Sequence, residues 1–390
     1  MTEDIFSSSR KGFPVTLHAT HTDLHSESGA LVGEHRGRAA NPVVKVTELA
    51  WLEFAKPDLA RCEVFAHAFG FGTVSRTASE LVLRGSDAGA PAIVVRQGAR
   101  SRYLGAAFKA ETSDLIRLTD ATGVRVTALP ENLGGHSVDL VDPAGSVVRV
   151  VADTHHLPAL PAQTPLILNV GHRLPRSNAT QRPAREPARV QRLGHVVLQT
   201  TRYAETLDWY LQHLGMIVSD FKYFAGQRDR GPVMSFIRCD LGSVPADHHT
   251  LALALGPRNR YVHSAYQVAD LDALAAGGEY LRERGYFRSW GIGRHIEGSQ
   301  IFDYWRDPDG LLVEHYTDGD VFDSTLDPGW SAMTASGLAQ WGPPATLDFL
   351  GASPRRLEAV REVARMATAL RSDNDFDLAR LRGMLRVARS

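Results

Sequence analysis

An internal repeat limits what this chain can fold into more than any other feature. Val-Thr-Glu-Leu-Ala-Trp-Leu-Glu-Phe (46–54), an amphipathic stretch from Asp58 to Phe69 and then Gly70 have the same texture as a second set: Arg-Leu-Gly-His-Val-Val-Leu-Gln-Thr (192–200), Tyr203 to Leu214, and Gly215. Both read as strand, helix, and a glycine leading into the next strand. Further along, Ala-Ala-Phe-Lys-Ala-Glu-Thr-Ser-Asp-Leu (106–115) echoes Ser-Ala-Tyr-Gln-Val-Ala-Asp-Leu (264–271), and Asp142-Pro-Ala-Gly echoes Asp307-Pro-Asp-Gly. A unit of one helix and a few strands cannot bury its own apolar face, so such units stack on each other. The expected fold is α+β: four βαβββ modules paired into two half-open barrel domains, with an N-terminal arm and a helical C-terminal tail.

The expected organisation has five parts. Residues 1–43 form an arm rich in Ser, Thr, Gly and His, whose His18, His21, His25 and His35 are expected to be solvated. Residues 44–152 form a first domain. Residues 153–190, with Leu-Pro-Ala-Leu-Pro-Ala and Arg-Pro-Ala-Arg-Glu-Pro, form a linker that cannot make regular helix or a central strand. Residues 191–325 form a second domain, and 326–390 an extension. The extension begins with an irregular segment containing Trp330, Trp341 and Pro343-Pro344. A helix is expected from about Pro354 to Leu370 and a shorter one after Asp375, their arginines on a solvated face.

The balance of 43 Lys+Arg against 44 Asp+Glu gives no electrostatic case for nucleic acid or an anionic membrane. A small neutral or weakly anionic ligand fits better. The only cysteines, Cys62 and Cys239, indicate neither a disulfide framework nor a thiolate metal site, and a reducing cytoplasm is the expected compartment. The N-terminus lacks a basic region followed by an apolar core, and no apolar run approaches membrane-spanning length.

Three polar residues interrupt apolar stretches of the second domain. His195 begins His-Val-Val-Leu, His263 sits in Tyr-Val-His-Ser-Ala-Tyr, and Glu314 closes Asp-Pro-Asp-Gly-Leu-Leu-Val-Glu. Period-2 alternation puts the histidines on strands that each open a module and Glu314 on the last strand of the second. Two neutral imidazoles and one carboxylate on one face hold a divalent metal and leave positions open, the ordinary setting of non-haem Fe(II). Laying the first domain on the second puts Ala50 opposite His195, Gly105 opposite His263 and Arg149 opposite Glu314. None of these is an ordinary ligand, so the fold alone does not require the three polar residues. Four more residues are placed around the site: His249, His295, Tyr304 and, as the weaker of its histidine pair, His248.

The run from Gly-Arg-His295 through Tyr304-Trp-Arg-Asp-Pro-Asp-Gly-Leu-Leu-Val-Glu314 resembles the two-domain, type I extradiol catechol dioxygenases of the vicinal oxygen chelate superfamily, and the likeness spans roughly 44–350. The resemblance implies Fe(II), less often Mn(II), held by His195, His263 and Glu314. It assigns His249 to the acid/base, His295 to a hydrogen bond with substrate, and Tyr304 to a hydrogen bond at the substrate hydroxyl. It also implies a small aromatic diol and O2 as substrates, ring opening next to the diol without an organic cofactor, and a homo-oligomer. One departure is Asp303, where the family usually has an apolar residue; it is expected to face solvent. Rival readings are a 2-oxo-acid-dependent dioxygenase resembling 4-hydroxyphenylpyruvate dioxygenase, a glyoxalase-like isomerase, which would want a fourth protein ligand, and a metal-free ligand-sequestering protein. Phe236, Phe302 and Trp305 suit either an apolar pocket or an ordinary core.

Overall fold

The computed structural model describes residues 29–334, 336–351 and 356–387. Two mixed sheets dominate it. From edge to edge, the first runs Gly72–Arg76, Glu80–Arg84, Ile93–Gln97, Glu48–Lys56, Arg102–Lys109, Val147–Ala152, His136–Val141 and Thr127–Ala128. The second runs Gly329–Met333, Ile217–Phe224, Met234–Arg238, Leu251–Leu255, Arg192–Thr200, Arg260–Gln267, Leu312–Thr317, Ile301–Arg306, Phe287–His295 and Ala339–Trp341. In chain order each half reads strand, helix, three strands, and then the same again, with a two-residue strand, Ala246–Asp247, inserted in the third module. The opening strands of paired modules lie side by side and antiparallel: Glu48–Lys56 on Arg102–Lys109, and Arg192–Thr200 on Arg260–Gln267.

The glycines after the first helix of each half have a defined job. Gly70 and Gly215 follow Leu59–Phe69 and Tyr203–Leu214 with φ of 111° and 62°. That left-handed conformation ends a helix and is strained for residues with a Cβ. At Gly70 an added Cβ would also lie 1.8 Å from the Ala188 carbonyl oxygen in the inter-sheet segment.

The halves are welded together. One buried apolar cluster contains Phe65 and Phe69 of the first and Tyr266 and Trp305 of the second. The two Asp-Pro-x-Gly turns then cross over reciprocally. Asp142 Oδ2 accepts from Tyr210 Oη of the second half (3.1 Å), and Asp307 pairs with Lys56 of the first. Both aspartates also cap their own turns, Asp142 Oδ1 accepting from Ser146 N (2.8 Å) and Asp307 Oδ1 from Leu311 N (2.8 Å). Burial pushes the Asp142 carboxyl up. At Lys56 burial opposes the charge, but attraction to Asp307 prevails and raises its pKa.

Four expectations need correcting. The segment after Glu314 is not irregular: Gly329–Met333 adds a parallel strand beside Ile217–Phe224, and Ala339–Trp341 pairs with Phe287–His295. Trp330 is consequently fully buried. His35 is not simply solvated, since its Nε2 lies 2.8 Å from Asp208 Oδ1 and its ring meets Phe221 edge-on; His18, His21 and His25 lie outside the described residues. The helices Arg356–Ala369 and Leu378–Val387 are present, but Arg380 is buried, donating to the Gly231 carbonyl. Finally, strand register places Trp51, not Ala50, opposite His195, because Trp51 pairs with Ala107 as His195 pairs with Ala265. Among the described residues no helix is long and apolar enough to cross a membrane.

Candidate metal centre

Register dictates which side chains of the second sheet share a face. Ala265 is the direct neighbour of His195 on one side and Glu314 on the other, so these three point the same way. His263, two residues from Ala265, joins that face. With only a methyl group between them, His195 and Glu314 can lean together over Ala265. His195 Nε2 and His263 Nε2 each lie 3.3 Å from Glu314 Oε2, and one ligand atom from each of the three residues falls within 4.8 Å of the others. All three residues are buried, Glu314 completely.

This cluster is incomplete as protein chemistry. Neither Glu314 oxygen accepts a hydrogen bond of proper geometry. A buried carboxylate without a donor or countercharge is costly. Burial would raise the Glu314 pKa, but the His195 and His263 imidazoles beside it hold it far below the usual carboxylate range. Burial pushes His195 toward its neutral form. An anionic carboxylate and neutral imidazoles are the protonation states that metal ligands need. The donor set therefore fits a divalent cation, with His195 Nε2, His263 Nε2 and Glu314 Oε2 as the atoms that would hold it.

The surrounding residues are as tightly placed. His295 Nδ1 donates to the Leu338 carbonyl oxygen (2.8 Å), which leaves Nε2 as the acceptor for Tyr304 Oη, 2.8 Å away. Burial raises the Tyr304 pKa well above the ordinary phenol, and Glu314 adds to the effect. Its ring stands edge-on to His263 at 5.1 Å, with Trp290 and Phe349 at 5.7 and 4.9 Å. His249 packs against His195 with ring centroids 3.9 Å apart. Burial, then proximity to His195, pushes its pKa well below normal, so it is a neutral imidazole.

Of the aromatic candidates, Phe236 lies beside the site, 5.1 Å from the His249 ring, and Phe302 stacks on His295 at 4.2 Å. Trp305 lies on the opposite face of its strand, under the Arg288 guanidinium. Asp303 is on that opposite face too, and it is fully buried instead of facing solvent. The helix Leu271–Glu283 covers this side, with Gly278 close to Asp303 Oδ2, and Arg288 pairs with the carboxylate at 3.0 Å. Burial pushes the Asp303 carboxyl up to about 7 against the pull of Arg288.

Sequence reasoning missed Asp220, Trp290, Leu338 and Phe349 and underrated His248. Asp220 Oδ2 lies 2.7 Å from His248 Nε2, and His248 Nδ1 lies 3.0 Å from His249 Nδ1. A usable signal was the aspartate inside Ile-Val-Ser-Asp-Phe-Lys-Tyr-Phe, a strand buried along its whole length.

Residues 192–315 match the model of the Glyoxalase/Bleomycin resistance protein/Dioxygenase superfamily. The chain is 31% identical over 314 residues to metapyrocatechase 2 of Cupriavidus necator, covering 78% of this chain and 92% of that protein. Among solved structures, homoprotocatechuate 2,3-dioxygenase from Arthrobacter globiformis superposes with a TM-score of 0.62 at 20% identity, covering 80% of this chain and 92% of that one. The Mn(II)-bound glyoxalase from Novosphingobium aromaticivorans gives a TM-score of 0.64 at 22% identity, covering 78% and 94%.

Proposed function

This chain belongs to the ring-cleaving extradiol dioxygenases of the glyoxalase/bleomycin resistance protein/dioxygenase superfamily, and from that premise we propose that His195, His263 and Glu314 hold Fe(II) for cleavage of a catechol-type substrate by O2. The single observation that carries the metal assignment is Glu314: a wholly buried carboxylate that meets two imidazole nitrogens and accepts no proper hydrogen bond. When bound, the ion supplies Lewis acidity and redox capacity where diol and O2 are brought together.

The chain's own residues orient the diol and handle its protons. Tyr304 Oη spends its only hydrogen on His295 Nε2, so its lone pairs face the substrate and accept from a catechol hydroxyl. His295 is held in that tautomer by the Leu338 carbonyl, and so the short turn leading into the terminal strand supports the site. His249, neutral and against His195, accepts the second catechol proton and returns it as the ring opens. Trp290, Phe349 and Phe236 surround these groups with apolar surface that suits an aromatic ring and excludes water.

The test is anaerobic loading with ferrous iron, or with Mn(II) in parallel, followed by air and a small panel of catechols, reading oxygen uptake and a yellow ring-fission product. Iron-dependent product that is lost in His195→Ala supports the assignment. Iron bound without turnover of any catechol points to the 2-oxo-acid-dependent branch, and failure to bind either metal points to ligand sequestration.

A further inference from the structure

Behind His249 lies a second, deeper pair of groups that the chemistry above does not use. His248 and Asp220 are buried, and the His248 ring is pinned on several sides. Its backbone N donates to Asp320 O (2.9 Å), its carbonyl accepts from Ser219 Oγ (2.6 Å), and Phe236 and Phe322 flank the ring at 5.4 and 5.5 Å. Gly298 leaves no slack, since an added Cβ would fall 2.8 Å from His248 Nδ1. The ring cannot turn without breaking these contacts, so its two nitrogens have fixed partners.

Those partners determine where the hydrogens are. A carboxylate only accepts, so the 2.7 Å contact with Asp220 Oδ2 requires a hydrogen on His248 Nε2. The N–N contact takes a single hydrogen, and with the hydrogen of His248 held at Nε2, its Nδ1 is the accepting nitrogen. The facing Nδ1 of His249, 3.0 Å away, must then bear the hydrogen of the N–N contact. This leaves Nε2 of His249 as its unprotonated nitrogen. We propose that Asp220 and His248 are positioning residues that lock His249 in its Nδ1–H tautomer, so that Nε2 is the atom that takes the substrate proton. The inference rests on the reading of His249 as the acid/base. In the step itself the catechol O–H bond breaks and an N–H bond forms at His249 Nε2. The resulting imidazolium is stabilised through His248 by the Asp220 carboxylate, and the proton later leaves Nε2 for a product oxygen. A carboxylate that orients a catalytic imidazole through its far nitrogen is the logic of the hydrolase triads, extended here by one ring.

The test compares full-length, iron-loaded variants with the wild type. His248→Phe fills the slot between Phe236 and Phe322 but removes the acceptor; kcat is expected to fall about 10–100-fold, with KM within about threefold and iron content unchanged. His248→Asn puts an amide oxygen where Nδ1 was and is expected to recover most of that loss. In parallel, 15N spectra of histidine-labelled protein loaded with diamagnetic Zn(II), with His249 assigned by its absence in His249→Ala, should show a pyrrole-type Nδ1 and a pyridine-type Nε2. A pyridine-type Nδ1 on His249 overturns the proposal. So does wild-type kcat in His248→Phe, or equal losses in the Phe and Asn variants, which would make the ring mere packing. If His249→Ala itself keeps full kcat, the acid/base reading fails and the tautomer lock with it; if His249→Ala is crippled while His248→Phe is not, only the lock fails.

Discussion

Arg149 and Glu314 occupy the same place in the two halves of the molecule, and they carry opposite charges. Arg149 is the neighbour of Ala107 as Glu314 is of Ala265. In the first half the guanidinium is answered from both sides: it donates to Asp139 at 2.8 and 2.7 Å and pairs with Glu53, which also accepts from Trp51 Nε1 (3.2 Å). Trp51 and Gly105 take the places of His195 and His263, and Tyr304 has Asp139 as its counterpart. The duplicated scaffold thus places a polar cluster at the same point twice, half-buried in the first half and buried in the second. In the first half Arg149 and Arg96 answer Glu53 and Asp139, and in the second the proposed cation would answer the one carboxylate that two imidazoles leave uncompensated. The difference between a structural and a chemical module lies in a few side chains on a common face.

The largest effect is expected where the second half is deprived of that charge site. Glu314→Ala should lose metal in elemental analysis and lower turnover about a thousandfold or more, the several kcal/mol that an active-site ion supplies. If this variant binds iron normally and turns over, the comparison between the halves collapses, because Glu314 would then be as internally satisfied as Arg149 is.

A converted half would sharpen the comparison. Glu53 has Val197 as its counterpart, since each is the direct neighbour of the position shared by Gly105 and His263. Glu314→Arg alone buries an unpaired guanidinium and should cost about 3–5 kcal/mol in denaturant unfolding. Adding Val197→Glu should recover a good part of it and give a folded, metal-free second half; no recovery would show that the cluster of the first half depends on more than its ion pair. The converse change, Arg149→Met, leaves Glu53 and Asp139 without their main partner. Arg96 remains 3.7 Å from Glu53, and Asp139 is partly exposed, so a smaller loss of about 2 kcal/mol is expected, with kcat unchanged.

Some of this was written legibly in the chain. Histidine and glutamate within apolar runs are conspicuous, and the reuse of Asp-Pro-x-Gly turns revealed the module order. The alignment of Ala50 with His195 was off by one residue for a physical reason: Leu49 through Lys56 is buried on both faces, so the period-2 signal that normally fixes register is absent. The terminal strands were hidden because Gly329–Met333 pairs with a strand more than a hundred residues earlier, and no local pattern reports such a partner. Asp220 was overlooked, and Asp303 was placed on the surface, for the same reason. A charge in a strand reads as surface until the residues that cover it, His248 in one case and Arg288 with Gly278 in the other, are known from the fold.

Asp303 offers the mildest test of how the halves diverge, on the face away from the metal centre. Its counterpart in the first half is Val138, which is equally buried, so the second half carries a carboxylate where the scaffold otherwise places an apolar side chain. Burial raises this carboxyl from 3.8 to about 7 in the folded protein. Between those values the folded state holds a proton that the unfolded state has lost, so stability should fall as pH rises through that window and level off above about 7. Asp303→Asn cannot titrate, keeps an oxygen for Arg288, and should flatten the change in Tm between about pH 4.5 and 7.5. The opposite result, an Asn variant less stable than wild type chiefly at the higher pH, would mean that Arg288 outweighs burial and that the carboxylate stays charged. The second half would then have made a buried ion pair of its own on this face, as the first half did with Arg149 on the other.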